Sequence, residues 1–411
     1  MYKTDKTIDT FNVEDLKKII SLHKKNLSRY KMLKDYYLGK NKGDTNSPYP
    51  KYITDMHVGY LVGNGVSYSC ENENIMAKLN EIFYNSNEVE ENYEIARICS
   101  IKGKAYEIVY IDEESNLRFN EIEPEECFLI CDNSFKENVL FGVRLFDKFI
   151  EVYEKESVKT YDKDFKLIDE KPNYFLEVPI IEYLNNKDEQ GDFEQVIGLI
   201  DAYNKVQNGT LQDMTDFTDA YLKLIDLGGT NQEDIEQMKK DKVLLLNNGG
   251  NADWLIKNVN DVWVENFKNR LKSDIHKFAL VPDMSDEQFG SNLSGVSIRY
   301  KLLAMEQLRL NKERKFEMAL QKRLRLIFKF LNITQNILNE KVKITFNSTL
   351  PQNIPELANV INSLSSFVSE ETLLNLLPFI DNADEEIKKR NKENELRLND
   401  YEESFNESKH D

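Results

Sequence analysis

Residues 193–229 read FEQVIGLIDAYNKVQNGTLQDMTDFTDAYLKLIDLGG. Val196, Ile200, Tyr203, Leu211, Met214, Phe217, Tyr221 and Leu224 recur at spacings that keep one stripe of a helix apolar. The pattern predicts a single helix over 193–227, roughly 50 Å long at 1.5 Å per residue, ended by Gly228-Gly229. A small polar insert follows, with a predicted strand at 242–246, a turn at 247–251 and a returning strand at 254–259. A second helix comes back through Val264, Phe267, Leu271, Ile275 and Phe278 and stops near Pro282. Helix, insert and returning helix make a stalk with a tip.

Beyond Pro282 lies a polar loop, 283–295, in which Ser285, Gly290, Ser291, Asn292, Ser294 and Gly295 surround one aromatic, Phe289. Loops of this length are often functional, with an ordinary helix-to-helix connector as the competing reading. A third long helix is predicted over 296–331, roughly 54 Å if unbroken. It holds ten Lys/Arg (Arg299, Lys301, Arg309, Lys312, Arg314, Lys315, Lys322, Arg323, Arg325, Lys329) against Glu306, Glu313 and Glu317. These cations are distributed around the axis, which favours a scaffold helix paired with neighbouring acids over a nucleic-acid stripe.

Further out, 341–347 reads as a strand and 355–367, 369–378 and 383–404 as helices, the second started by Ser369 but short of a full capping box because Thr372 stands three residues on. Toward the N-terminus, 13–38 reads as one helix and the breaker-rich 39–50 as an exposed arm or loop. From about 58 to 185 the runs are short and β-rich. A hairpin is expected from 105–111 and 117–122, with further strands at 126–131, 139–146, 148–154, 157–161 and 177–183. The fold class is α+β, predominantly helical, with an antiparallel β-rich N-terminal unit.

The chain has 411 residues, 54 Lys+Arg against 72 Asp+Glu and a formal charge of −18. A protein that grips phosphates is usually basic, so nucleic acid handled by this chain must slide past it. Hydrophobic residues are 40% and charged residues 31%, a balance that points to an elongated or oligomeric protein. No apolar run approaches the length of a membrane span, and a soluble, unexported protein is expected. Cys70, Cys99, Cys127 and Cys131 show no C-x-x-C spacing and read as reduced, packed thiols. With His23, His57, His276 and His410 scattered, no zinc site and no cofactor are expected.

No P-loop, dinucleotide fingerprint, H-E-x-x-H, G-x-S-x-G or EF-hand pattern is present, so the sequence gives catalysis no support. Two acidic clusters, Asp112-Glu113-Glu114 and Glu121, Glu123, Glu125, Glu126, keep a metal-dependent nuclease open as an alternative. Their positions in a predicted turn and beside Pro124 favour solvated acids.

Five segments carry a resemblance. Lys34-Asp-Tyr-Tyr-Leu-Gly39 resembles a Y-Y-x-G signature, and Tyr60-Leu-Val-Gly-Asn-Gly-Val-Ser-Tyr68 a G-Y-L-x-G-x-P-V-x-Y segment, with Gly65 where proline is usual. Pro282-Asp-Met-Ser-Asp-Glu-Gln-Phe-Gly-Ser-Asn-Leu-Ser-Gly-Val-Ser-Ile-Arg-Tyr-Lys-Leu-Leu303 is similar to an acidic P-D loop followed by S-G-V and Y-K-L-L. Ser369-Glu-Glu-Thr-Leu-Leu374 and Asp384-Glu-Glu386 match a C-terminal pattern. Together they resemble the portal proteins of tailed bacteriophages, in the SPP1-like family. The resemblance implies a ring, typically of twelve subunits, at one capsid vertex of the virion, assembled in the bacterial host cytoplasm. Double-stranded DNA would pass through it without sequence specificity. Residues 1–190 would form a wing, 191–227 and 262–281 a two-helix stem, 228–261 a small α/β clip, 282–294 a tunnel loop, 295–352 a long helix with a returning wing strand, and 353–411 a helical crown and charged tail. The tunnel would be lined from Asp283, Ser285, Asp286, Glu287, Gln288, Phe289, Gly290, Ser291, Asn292, Ser294 and Gly295. Lys239, Lys240, Lys242 and Trp254 of the clip would dock the terminase large subunit and later a head-tail adaptor, and a major capsid or scaffolding protein would hold the wing. A non-portal collar protein of a phage-like particle is the second alternative.

Overall fold

The computed structural model describes all residues except 42–44, 219–220, 226–230, 242–250, 256–260, 286–294, 333–341, 348–353, 378–379, 381–382 and 408–411. It is mixed helix and sheet, about 53% helical, and falls into two compact units, one of residues 1–38, 48–195 and 279–411, the other of 39–47 and 196–278.

The first unit opens with β1 (Tyr2–Thr4), α1 (Val13–Lys24) and α2 (Leu27–Tyr37). Asn12 caps α1 in a capping box with Asp15. The single helix predicted over 13–38 is broken at Lys25 and Asn26, whose amides bond to Leu22 and His23, three residues back, and tighten the chain out of α geometry. The predicted arm gives way to α3 (Tyr49–Val62), with Pro50 in its first turn, where its missing N–H costs nothing. β2 (Val66–Ser69), α4 (Glu73–Asn85) and α5 (Glu88–Lys102) follow, so the β-rich reading from residue 58 is corrected: the β-rich part begins only at residue 104. Gly65, between α3 and β2, has φ +71°, which proline, fixed near −65°, cannot adopt; this accounts for the departure from the usual proline.

The strands from there are β3 (Lys104–Ile111), β4 (Leu117–Ile122), β5 (Cys127–Asp132), β6 (Val139–Leu145), β7 (Phe149–Tyr153), β8 (Ser157–Asp162), β9 (Leu167–Pro172) and β10 (Ile180–Leu184). One sheet runs β1-β5-β6-β7-β8-β9 and a second β10-β3-β4. Every pair is antiparallel except β1 with β5. β5 is apolar on both faces because both are covered: Phe128 and Ile130 join Leu16, Ile19 and Ile20 of α1 in one core, and Cys127 and Leu129 join Tyr106, Ile108 and Ile180 in another. Cys99, Cys127 and Cys131 are buried thiols, and burial pushes the Cys99 and Cys127 pKa values up. The four cysteines are unbridged.

The main core forms where α3, α4 and α5 meet the β10-β3-β4 sheet and the last half of the long helix, here α9 (Gly295–Phe330). Phe316, Ala319, Leu320, Leu324 and Ile327 of α9 are buried there. β13 (Lys343–Phe346) pairs with β2, and α10 (Ile354–Leu364), α11 (Glu370–Leu374) and α12 (Ala383–Glu407) complete the unit. Ser369 caps α11 through the Thr372 amide, as expected.

In the second unit, α6 (Ile197–Thr218) and α8 (Asp261–Phe278) pack together, and the 39–47 segment is tied to α6 by Asn208, which takes the Thr45 amide (2.9 Å), and Asn204, which takes the Ser47 amide (2.9 Å). The predicted 193–227 helix is corrected at its end. Tyr221–Ile225 is a strand, β11, paired antiparallel with β12 (Asn251–Leu255). Trp254 stands opposite Leu222; the predicted strand 242–246 lies outside the described residues. Helix α7 (Gln232–Asp241) lies between the strands.

Candidate functional site

The loop singled out by its composition is built from its ends inward. Leu280 takes a left-handed conformation (φ +56°) and turns the chain away just after α8, at the energetic cost such a conformation carries for a branched residue. His57 of α3, buried, donates from Nε2 to the Ala279 carbonyl at 2.9 Å; burial lowers its pKa and favours the neutral ring. Tyr52, more than a turn earlier on α3, donates to the Pro282 carbonyl at 2.7 Å and accepts the Met284 amide at 3.4 Å. Asp283 folds the next residue over itself, taking the Ser285 amide (3.1 Å) and hydroxyl (2.6 Å) on Oδ1, an Asx-type turn. On the far side, Tyr60 of the same α3 donates to Glu306 of α9 at 2.7 Å. Burial and that carboxylate raise the Tyr60 pKa, while the Arg309 hydrogen bond lowers that of Glu306. Helix α3 therefore holds the first root of the loop at Ala279, Pro282 and Met284, and it also holds α9 at Glu306, about three turns beyond Gly295. Of the predicted tunnel residues, Asp283 and Ser285 sit at the first root and Gly295 begins α9. Asp286, Glu287, Gln288, Phe289, Gly290, Ser291, Asn292 and Ser294 lie outside the described residues. Nothing in the sequence marks Tyr52, His57 and Tyr60 as anchors, although Ile53, Val58 and Leu61 behind Pro50 already carry helical spacing.

The cations of α9 behave as a scaffold helix requires. Arg309 bridges Glu306 (2.8 Å) and Glu313 (2.5 Å). Lys312 pairs with buried Asp192, which also takes the Ser100 hydroxyl and the Asn185 amide. Burial alone would raise the Asp192 pKa, but the Lys312 charge wins and holds it below the ordinary value. Arg323, 0% exposed, donates to Glu107 (2.5 and 3.0 Å) and Glu88 (3.3 Å) and lies 4.4 Å over the Phe119 ring. Tyr183 and Tyr68 complete the set on Glu107 and Glu88 at 2.9 and 2.6 Å. Arg325 and Lys329 share Glu177. Arg309, Lys312, Arg323, Arg325 and Lys329 are thus committed to acids of their own chain.

The acidic clusters are engaged in the same way. Asp112 closes the β3–β4 turn by accepting the amides of Glu114 (3.0 Å) and Asn116 (2.8 Å), and pairs with Arg118 (2.9 Å). Glu123 and Glu125 both hold the buried Lys102 ammonium, and Glu123 also holds Lys34. Glu91 accepts the Glu121 amide at 3.0 Å, and burial together with the neighbouring Glu121 carboxyl pushes its pKa to about 8. Among the described residues no group of three or more His, Cys, Asp or Glu is arranged to hold a metal. Of the predicted docking residues, Lys239 and Lys240 lie on α7 and Trp254 on β12, while Lys242 lies outside the described residues.

Residues 16–397 match the family model for phage portal protein, SPP1 Gp6-like. The chain belongs to this portal protein family. The portal protein of Bacillus phage SPP1 is 23% identical over 385 residues, covering 85% of this portal chain and 75% of that protein. The portal protein of Clostridium phage phiCD119 is 21% identical over 238 residues, 56% of this chain and 52% of that one. In shape, the chain is similar to one from the neck of an empty gene transfer agent particle computed with C6 symmetry, with a TM-score of 0.51 at 11% identity over 80% of this chain and 90% of that chain. That likeness concerns the fold. The family read from the 282–303 run and its companions is the family that matches.

Proposed function

We propose that this portal chain closes into a ring, typically of twelve copies, at one vertex of a phage capsid, and that double-stranded DNA enters and leaves through its centre. Residues 1–190 act as wing, 191–227 (α6 followed by strand β11) and 262–281 as stem, 228–261 as clip, 295–352 as long helix with wing strand, and 353–411 as crown. The loop 282–294 narrows the passage. The observation that carries this is the first root of the loop fastened to α3: a segment that presses on moving DNA needs an anchored end, and Tyr52 and His57 supply it, while Tyr60 ties the same helix to α9 at Glu306. The electrostatics support it. Each phosphate neutralised by a lysine or arginine adds affinity that must be broken again as DNA advances, and Arg309, Lys312, Arg323, Arg325 and Lys329 are already spent on the protein's own acids.

The clip, with Lys239, Lys240, Lys242 and Trp254, docks the terminase large subunit during packaging and a head-tail adaptor afterwards. ATP hydrolysis belongs to that motor, since this chain has no phosphate-binding loop, and the portal is not itself an enzyme. A capsid or scaffolding protein holds the wing. Deleting 285–293 spares the Tyr52 and His57 contacts to Pro282, Met284 and Ala279; rings of normal size should form, yet packaged DNA should fall or leak in an in vitro packaging assay. Normal packaging by the deleted ring would sink the assignment of this loop.

A further inference from the structure

Helices α6 and α8 each carry an apolar stripe with two unlike ends. On α8 the stripe steps through Trp263, Phe267, Leu271 and Ile275; Leu271 and Ile275 are buried, whereas Trp263 and Phe267 are 64% and 37% exposed. The two exposed rings stack on each other, centroids 5.6 Å apart and planes 9° apart. On α6, Ile200, Leu211 and Met214 fall within about 60° of one another around the axis. Ile200 is buried, and Leu211 and Met214 are 49% and 66% exposed. The β11–β12 pair links the C-terminal end of α6 to the N-terminal end of α8, and Met214 and Trp263 each lie within about one turn of those linked ends, so the two exposed patches share one level. The helices also differ in charge. α6 has Lys205 against Asp201, Asp213 and Asp216, and α8 has Lys268, Arg270, Lys272 and Lys277 against Asp261, Glu265 and Asp274.

A closed ring is made of heterologous contacts, in which each copy presents two different faces. An exposed aromatic pair on a basic helix and an aliphatic patch on an acidic helix, at one level, are two such faces. Resting on the ring reading above, we propose that the Trp263–Phe267 stack of one copy seats on Leu211 and Met214 of the next, and that this contact anchors the subunits to one another at the end of the helix pair nearest the β11–β12 strands. Solvent-exposed tryptophan with a stacked partner is the kind of side chain that concentrates binding energy once covered.

Two measurements on the full chain test this. Trp263→Ser with Phe267→Ser should raise the concentration at which rings form by roughly tenfold or more, read by mass photometry, with circular dichroism unchanged because both side chains lie on the surface. Separately, Met214→Cys and Phe267→Cys chains carrying different tags are mixed, assembled and oxidised. The expected product is a disulfide-linked dimer of unlike tags from the mixture, absent from either variant alone and from the unsubstituted chain. Normal rings without that dimer, or a variant that links to itself, would overturn the contact while leaving the ring reading intact. Failure of the unsubstituted chain to form rings under packaging conditions would overturn both.

Discussion

Arg323 is a guanidinium placed where a leucine would be expected. The α9 positions 316, 320, 323 and 327 are spaced as one helical stripe, and Phe316, Leu320 and Ile327 are core residues, so Arg323 enters the core and must be met there by Glu107 and Glu88. A buried ion set holds together only when complete. Arg323→Met should therefore cost about 3–5 kcal/mol by leaving buried carboxylates without a counter-charge, whereas Lys322→Met next door should change stability by about 0.5 kcal/mol or less; urea unfolding of both variants checks the contrast. The sequence listed ten cations without revealing which was inside, although the stripe itself pointed to 323. Glu91 offers a test in pH. Its pKa is raised from 4.5 to about 8, so the folded state favours the proton: the contribution to stability is full below the ordinary carboxylate range and is lost as pH climbs toward and through about 8. Unfolding free energy should decline over that window, and Glu91→Gln should flatten the decline. An equal slope in both proteins would contradict a Glu91 carboxyl held protonated by burial beside Glu121.

Elements whose pattern was local were legible, and those decided by distant partners were not. The 36 residues of α9 run almost as periodicity predicts, and the β3–β4 hairpin falls at the predicted strands. The helix read through 227 fails because Phe217, Tyr221 and Leu224 fit helical spacing equally well. What selects a strand for Tyr221–Ile225 is pairing with Asn251–Leu255, which no local pattern contains. α5 was missed for the opposite reason: from Ile95 to Lys102 every residue but Arg97 is buried, so the second half of the helix has almost no polar side to mark its period. Its end is set by close backbone contact. Gly103 has φ +88°, and a Cβ there would lie 1.9 Å from the Glu189 carbonyl oxygen. Gly103→Ala should then cost more than about 1 kcal/mol and lower the melting temperature, whereas Gly198→Ala, in open space on α6, should leave stability unchanged or slightly raised. For the loop roots, Tyr52→Phe should speed hydrogen exchange of the Met284 amide and leave the β5–β6 amides unchanged. Equal exchange in both proteins would remove Tyr52 as a clamp.

For the whole molecule, charge and family lead to the same picture. A chain of −18 with much of its most basic helix internally paired is suited to letting a polyanion pass, and binding of duplex DNA to assembled rings should be weak and lose little between low and moderate salt, because few counterions are released. The 282–303 run and its four short companions made the family readable from the sequence, since those motifs lie along a match that covers 16–397. The anchors at Tyr52, His57 and Tyr60 needed the fold, because they join residues more than two hundred positions apart in the chain. The most direct test is electron microscopy of the purified protein, with end views classified by rotational symmetry. A ring of about a dozen copies around a hole of roughly 20 Å or more, wide enough for duplex DNA, is the predicted result. A compact monomer or dimer that persists in the presence of scaffolding protein would contradict it.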